Sequence, residues 1–117
     1  MVEVVVHLIA ATICFSGSCH PVLVGDTTPT GTYDLKHYAT AAPGYGGDIL
    51  VYKDDGTDRV FAVHRVLNIP GQNRPQRLRS KNPNDRRAIT LGCINVEPIV
   101  YKRLTDCCSS AKLVITR

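Results

Sequence analysis

The chain has 117 residues, 44% of them hydrophobic and 21% charged, which is room for one domain, residues 1–117, with a thin core. Those proportions exclude a disordered tail, a collagen-like repeat and a mostly transmembrane protein. The formal net charge is +4, from 14 Lys and Arg against 10 Asp and Glu, which permits an anionic partner without naming one. Aromatics make up 6% and Trp is absent, so no stacking platform for single-stranded nucleic acid is expected.

β-Branched and apolar runs bounded by turn residues predict strands over 2–9, 11–15, 20–24, 31–36, 48–53 and 59–66. The first run has the apolar centre of a signal peptide. However, no Lys or Arg precedes it, Glu3 interrupts it, and no small-x-small cleavage site closes it. A strand of the mature domain is the expectation. A lipoprotein-type cysteine is poorly supported, because Ser16 stands where an apolar residue is usual before Ser18-Cys19. No stretch is long enough to span a membrane. Cys14 and Cys19 bracket the turn Phe15-Ser16-Gly17-Ser18. They are either a disulfide across a hairpin neck or two small buried residues. Thr28-Pro29-Thr30-Gly31 is a turn that feeds the strand at Thr32, and Asp54-Asp55-Gly56 is a hairpin turn.

Seven basic residues lie between 65 and 87: Arg65, Arg74, Arg77, Arg79, Lys81, Arg86 and Arg87, against Asp85 alone. The same stretch is rich in Asn, Pro and Gly, and reads as a long basic loop. Loops of that length are usually functional or disordered. An anion-binding lid is the favoured reading over a solvated insertion. Further on, Pro98 opens a helix whose face holds Val100, Leu104, Cys107 and Ala111. Residues 112–116 then read as a closing strand. A Cys107–Cys108 bond would close a strained ring, so at least one of the two is expected to pack inward. No cysteine pair has zinc-finger or zinc-ribbon spacing, and no metal is expected. The class is mostly β, with one clear C-terminal helix.

Chemistry concentrates in Thr90-Leu91-Gly92-Cys93-Ile94-Asn95, which joins the basic stretch to the helix. A cysteine nucleophile needs a base or cation to favour its thiolate, and backbone donors for the developing oxyanion. A Gly turn can present consecutive N–H groups, here from Leu91, Gly92 and Cys93. The base must be one of four histidines. His7 and His37 stand in ordinary strand or turn contexts, and His20 is turn-associated beside Pro21. His64 lies on a strand that runs straight into the basic stretch. Composition alone makes Cys93 and His64 a weak pair.

The sequence resembles the L,D-transpeptidase catalytic-domain family. Thr90, Gly92, Cys93 and Asn95 match its [Ser/Thr]-His-Gly-Cys-x-Asn signature, and His64 matches its upstream His. Residues 25–33 are similar to its Gly-x-x-Thr-Pro-x-Gly-x-Tyr/Phe segment. Leu91 stands where many members have His, and Arg65 where a small residue usually follows the upstream His. The interval from His64 to Thr90 is lengthened by the basic stretch.

The resemblance implies a β-sandwich or open barrel and a cysteine enzyme acting on peptidoglycan stem peptides in the bacterial periplasm or cell envelope, without cofactor. Cys93 would attack the carbonyl after the L-configured centre of the third stem residue. His64 would manage the proton, and an amine, water or a free D-amino acid would accept the acyl group. Thr90 and Asn95 would help bind substrate. Arg65, Arg79, Arg86 and Arg87 would pair with stem carboxylates, while Arg74 and Arg77 read as surface solubility. Nothing reads as a wall-binding module. Rival readings are an antibacterial effector of the same family, with a secretion apparatus and an immunity protein as partners, and a non-catalytic binder of an anionic polymer. A nucleic-acid partner rests on the basic stretch alone and is not expected.

Overall fold

The computed structural model describes residues 3–40, 47–54, 56 and 60–117. Val2, Asp55 and Arg59, which enter predicted elements, lie outside the described residues. The strands are β1 (Glu3–His7), β2 (Thr12–Phe15), β3 (Ser18–Pro21), β4 (Gly31–Asp34), β5 (Lys36–Tyr38), β6 (Ile49–Asp54), β7 (Val60–Arg65), β8 (Ile94–Val96) and β9 (Lys112–Thr116). The helices are α1 (Arg74–Arg79) and α2 (Pro98–Cys108), with a 3-10 turn at Pro83–Arg86.

Two sheets form, in the orders β3-β2-β1-β9-β4 and β5-β6-β7-β8. Most neighbours are antiparallel, but β1 runs parallel to β9 and β7 parallel to β8. Parallel neighbours need long crossovers. The crossover from β7 to β8 is the basic stretch itself. One face of each sheet and the apolar face of α2 share a core that includes Val4, Ile13, Leu50, Val63, Ile94, Leu104 and Leu113. On its other face the four-stranded sheet carries a smaller cluster of Ile49, Val51 and Ala62, against which Val60 and Cys93 pack.

The cysteines are bonded in two local pairs. Cys14 and Cys19 stand opposite each other in the β2–β3 hairpin and form a disulfide. Its turn residues Ser16 and Gly17 both have positive φ, the geometry that suits a two-residue hairpin. Cys107 and Cys108 are also bonded to each other, contrary to expectation. The bond sits at the last two residues of α2, where the helix ends and no further turn has to follow. Cys108 does pack inward, as anticipated.

The basic stretch is more ordered than its turn residues predict. It holds α1 and the 3-10 turn, and Leu78 of α1 is fully buried. One apolar side chain among many polar ones gives no periodicity to read, yet it is enough to dock a short helix. Among the described residues no helix is long and apolar enough to cross a membrane.

Candidate active site

The register of β7 with β8 sets the site. His64 stands opposite Asn95, and cross-strand partners point to the same face. Cys93 is two residues before Asn95 and packs on that face against the Ala62 cluster. Three of the residues singled out in the sequence therefore share one face of one sheet. Cys93 belongs to neither disulfide and is part-buried.

Both ring nitrogens of His64 have polar neighbours. Its Nδ1 lies 2.8 Å from the Arg65 carbonyl, which can only accept, so Nδ1 carries the hydrogen. Its Nε2 lies 3.2 Å from Asn95 Nδ2. The Asn95 amide is oriented by Arg74, whose Nη1 donates to Oδ1 at 2.9 Å. Oδ1 thus faces the guanidinium, and the NH₂ group faces the imidazole. His64 is 4% exposed and Asn95 fully buried. Burial, and then the Arg74 charge, hold the His64 imidazole below its ordinary range, while the Arg65 carbonyl opposes them. Cys93 lies within electrostatic reach of Arg74, whose charged form it favours. Tyr52 is raised well above the ordinary phenol range, first by burial and then by Cys93.

The turn before Cys93 is held by hydroxyls. Tyr52 Oη and Thr28 Oγ1 both donate to the Gly92 carbonyl, at 2.6 and 3.2 Å. Thr90 Oγ1 donates to the Cys93 carbonyl at 2.6 Å. Gly92 has φ +126°, and a Cβ there would sit 2.9 Å from the Phe61 ring. Only glycine fits both demands. At Gly25 a Cβ would fall 1.9 Å from the Thr90 carbonyl oxygen, so the Gly25–Thr28 turn closes directly on the loop that carries Cys93. The segment around Thr28, picked out in the sequence by its Thr-Pro-x-Gly pattern, is in this way tied to the cysteine turn. Tyr52 had no such signal, since it reads as an ordinary strand tyrosine.

Several expected roles change. The Gly92 N–H donates to Thr90 Oγ1 at 3.3 Å, so of the three expected oxyanion donors this one is turned into its own loop. Leu91 is 80% exposed. Thr90 and Asn95, expected at the substrate, are buried and brace the turn and His64. Arg86 is not a surface cation. It is 5% exposed, and its guanidinium donates to the carbonyls of Ala10, Ala11 and Ser80. Arg65 is occupied as well. It pairs with Asp48 at 2.7 Å and lies over the Tyr101 ring, 4.2 Å from its centroid. Bonds from His37, then Arg65, then Tyr101 hold the Asp48 carboxyl well below its usual range. Arg65 therefore ties β7 to α2, and its own carbonyl receives the His64 Nδ1–H. Arg79 is exposed. Arg87 bonds Asn84 and lines a cavity of about 310 Å³ with Asp26, Thr28 and Arg117. Arg74, expected to be solvated, is the residue the sequence reading missed.

No protein-family model matches the sequence, and no curated protein matches it significantly. Solved structures do match. An L,D-transpeptidase from Mycobacterium smegmatis aligns with a TM-score of 0.58 at 18% identity, over 99% of this chain and 58% of its own. Mycobacterium tuberculosis L,D-transpeptidase 1 aligns with a TM-score of 0.63 at 16% identity, over 99% of this chain and 62% of its own. The chain has the L,D-transpeptidase fold. It spans less than two thirds of either of these proteins. Within that fold, the mostly β architecture agrees with what the resemblance implied, and α2 stands where Pro98 and the helical spacing after it predicted a helix.

Proposed function

We propose that the chain is a cysteine acyl-transfer enzyme acting on peptidoglycan stem peptides in the bacterial cell envelope. The observation that carries this reading is the shared face of β7 and β8, where His64, Asn95 and Cys93 sit together on a fold known from L,D-transpeptidases. Cys93 Sγ attacks the carbonyl carbon at the L-configured centre of the third stem residue. The S–C bond forms as the Cys93 proton passes to His64 Nε2. The C–N bond to the terminal D-residue then breaks, and the departing amine takes that proton. The N–H groups of Leu91 and Cys93 are the backbone candidates for the oxyanion. An incoming amine or water releases the thioester. Of the four arginines expected at the substrate, Arg79 and Arg87 are left to meet its carboxylates.

The test is mass analysis of purified stem-peptide fragments after incubation with the protein. Loss of the terminal residue with a thioester adduct on Cys93 supports the reading. A dimer, a trimmed tripeptide and a D-residue exchange product have different masses, so the same spectrum names the acceptor. Intact fragments and unmodified Cys93 across varied acceptors would refute it.

A further inference from the structure

We propose that Arg74 is the cation that stabilises the Cys93 thiolate, and that through Asn95 it keeps His64 neutral at rest. The proposal rests on the acyl-transfer reading and gives that site a positioning residue outside the matched motifs.

The argument begins at the imidazole. Nδ1–H is committed to the Arg65 carbonyl, so Nε2 has a single lone pair, and the Asn95 NH₂ group points at it from 3.2 Å. A proton on Nε2 would set N–H against N–H in an almost fully buried place. Asn95 can relieve this only by turning over, which would aim its NH₂ group at the Arg74 guanidinium that now donates to Oδ1. Two donors would then face each other there instead. Arg74 thereby fixes the amide, and the amide fixes the neutral imidazole. A resting thiolate–imidazolium pair would need the very state this chain of bonds opposes.

The thiolate must then draw on another charge. Among the described residues, β7, β6 and α1 bring titratable and charged groups to the side of the sheet and turn that carries Cys93. β7 brings His64, which is held neutral, and Arg65, which is turned into Asp48 and Tyr101. β6 brings Tyr52, whose hydroxyl is spent on the Gly92 carbonyl, and Lys53, which lies over the Phe61 ring at 5.7 Å. α1 brings Arg74, whose remaining donors reach Gln72 Oε1 at 2.6 Å and the Ile89 carbonyl at 3.5 Å. No carboxylate is among these bonds, so the guanidinium keeps its full charge for the site. In the reaction Arg74 lowers the proton affinity of Cys93, so Sγ gives up its proton more readily as the S–C bond forms. His64 Nε2 holds that proton only transiently, against the Asn95 amide, and passes it to the leaving amine nitrogen.

The test uses the whole chain with both disulfides intact, so that iodoacetamide reads Cys93 alone among the five cysteines. Alkylation rates are measured by mass spectrometry across pH for the wild type and for Arg74→Met, Arg74→Lys and His64→Gln. Loss of a nearby opposite charge raises the midpoint by about 1–2 pH units, so Arg74→Met should shift it upward by that amount. Arg74→Lys should keep it near the wild-type value, and His64→Gln should move it less than Arg74→Met. Should Arg74→Met fail to fold, Arg74→Gln removes the charge while its amide can still donate to Asn95. An unmoved midpoint in the uncharged variants, or a larger shift in His64→Gln, overturns the proposal. The two readings fail separately. Turnover of stem peptides without the Arg74 shift removes this inference alone, and the shift without any turnover removes the acyl-transfer reading alone.

Discussion

In the five-stranded sheet the inward positions of β1, β2 and β9 are all apolar. Val4 and Val6, Ile13 and Phe15, and Leu113 and Ile115 alternate with more exposed neighbours. In the four-stranded sheet β8 is buried at every residue, and β7 over Ala62–His64, on both faces. One face is apolar. The other buries His64 and Asn95, whose polar atoms have to be matched one by one. The first sheet needs shape and the second needs partners. Damage to the first should therefore be felt as lost stability, and damage to the second as lost chemistry in a folded protein.

The strongest test of that division is Cys93→Ala. It removes one sulfur from a part-buried position beside a small apolar cluster. Turnover of stem peptides should fall to background, while the melting temperature stays near that of the parent. Retained turnover by the folded variant would falsify the nucleophile assignment. His64→Ala should come next. Loss of a general base lowers acylation by about 10²–10⁴-fold, measurable as the rate of thioester formation. His7→Ala and His37→Ala serve as controls and should change that rate little.

Leu113→Ala probes the other sheet. Leu113 is fully buried in the shared core, and truncating a buried Leu costs about 2–5 kcal/mol. Chemical denaturation should show that loss, while the rate per folded molecule remains. An equal fall in both quantities would mean that the two sheets do not divide the work this way.

This contrast also accounts for what could be read in the sequence. Alternation in β1, β2 and β9 has a period of two and is visible in a single strand. His64 and Cys93 were legible because their neighbours match a known pattern. The roles of Arg65, Arg74 and Arg86 were not. All three belong to one basic stretch and look alike in sequence, yet each points inward to a partner far along the chain or on another element. Arg86 reaches Ala10 and Ala11, Arg65 reaches Asp48, and Arg74 reaches Asn95. Composition reports that arginines are present, not which carbonyls they meet. The short strand β8 was missed for a related reason. Three residues carry no period, and its pairing with β7 is parallel and distant in sequence.

The basic stretch can be divided by experiment in the same way. Arg86→Leu removes the guanidinium bonds to the Ala10 and Ser80 carbonyls and one of the two donors to the Ala11 carbonyl, which keeps the Val22 N–H. A hydrogen bond to a charged group contributes about 1.5–3 kcal/mol, so a clear loss of stability is expected. The double variant Arg79→Glu/Arg87→Glu should instead raise the substrate concentration for half-maximal rate, more at low salt than at high, with little change in melting temperature. Kinetics unaffected by that double variant would remove both residues from substrate binding.

The smallest effect, and the one that isolates His64 without any substrate, is the pH dependence of stability. The folded protein holds the imidazole below its ordinary range, chiefly by burial. In the unfolded chain His64 takes up a proton as pH falls through about 6.5. Through that window the unfolded state binds more protons than the folded one, so stability rises with pH and is lost on acidification. Asp48 behaves differently, because its carboxyl is held well below its usual range by His37 and Arg65. Its contribution is present above an unfolded value of about 3.9 and is lost only as pH falls below that. The two groups therefore act in separate windows. Melting temperatures recorded between pH 7 and 5 should decline less steeply in His64→Gln than in the parent. Asp48→Asn should flatten only the acid limb below about pH 4. A decline between pH 7 and 5 with the same slope in parent and His64→Gln would mean that the imidazole is not held neutral by its buried partners.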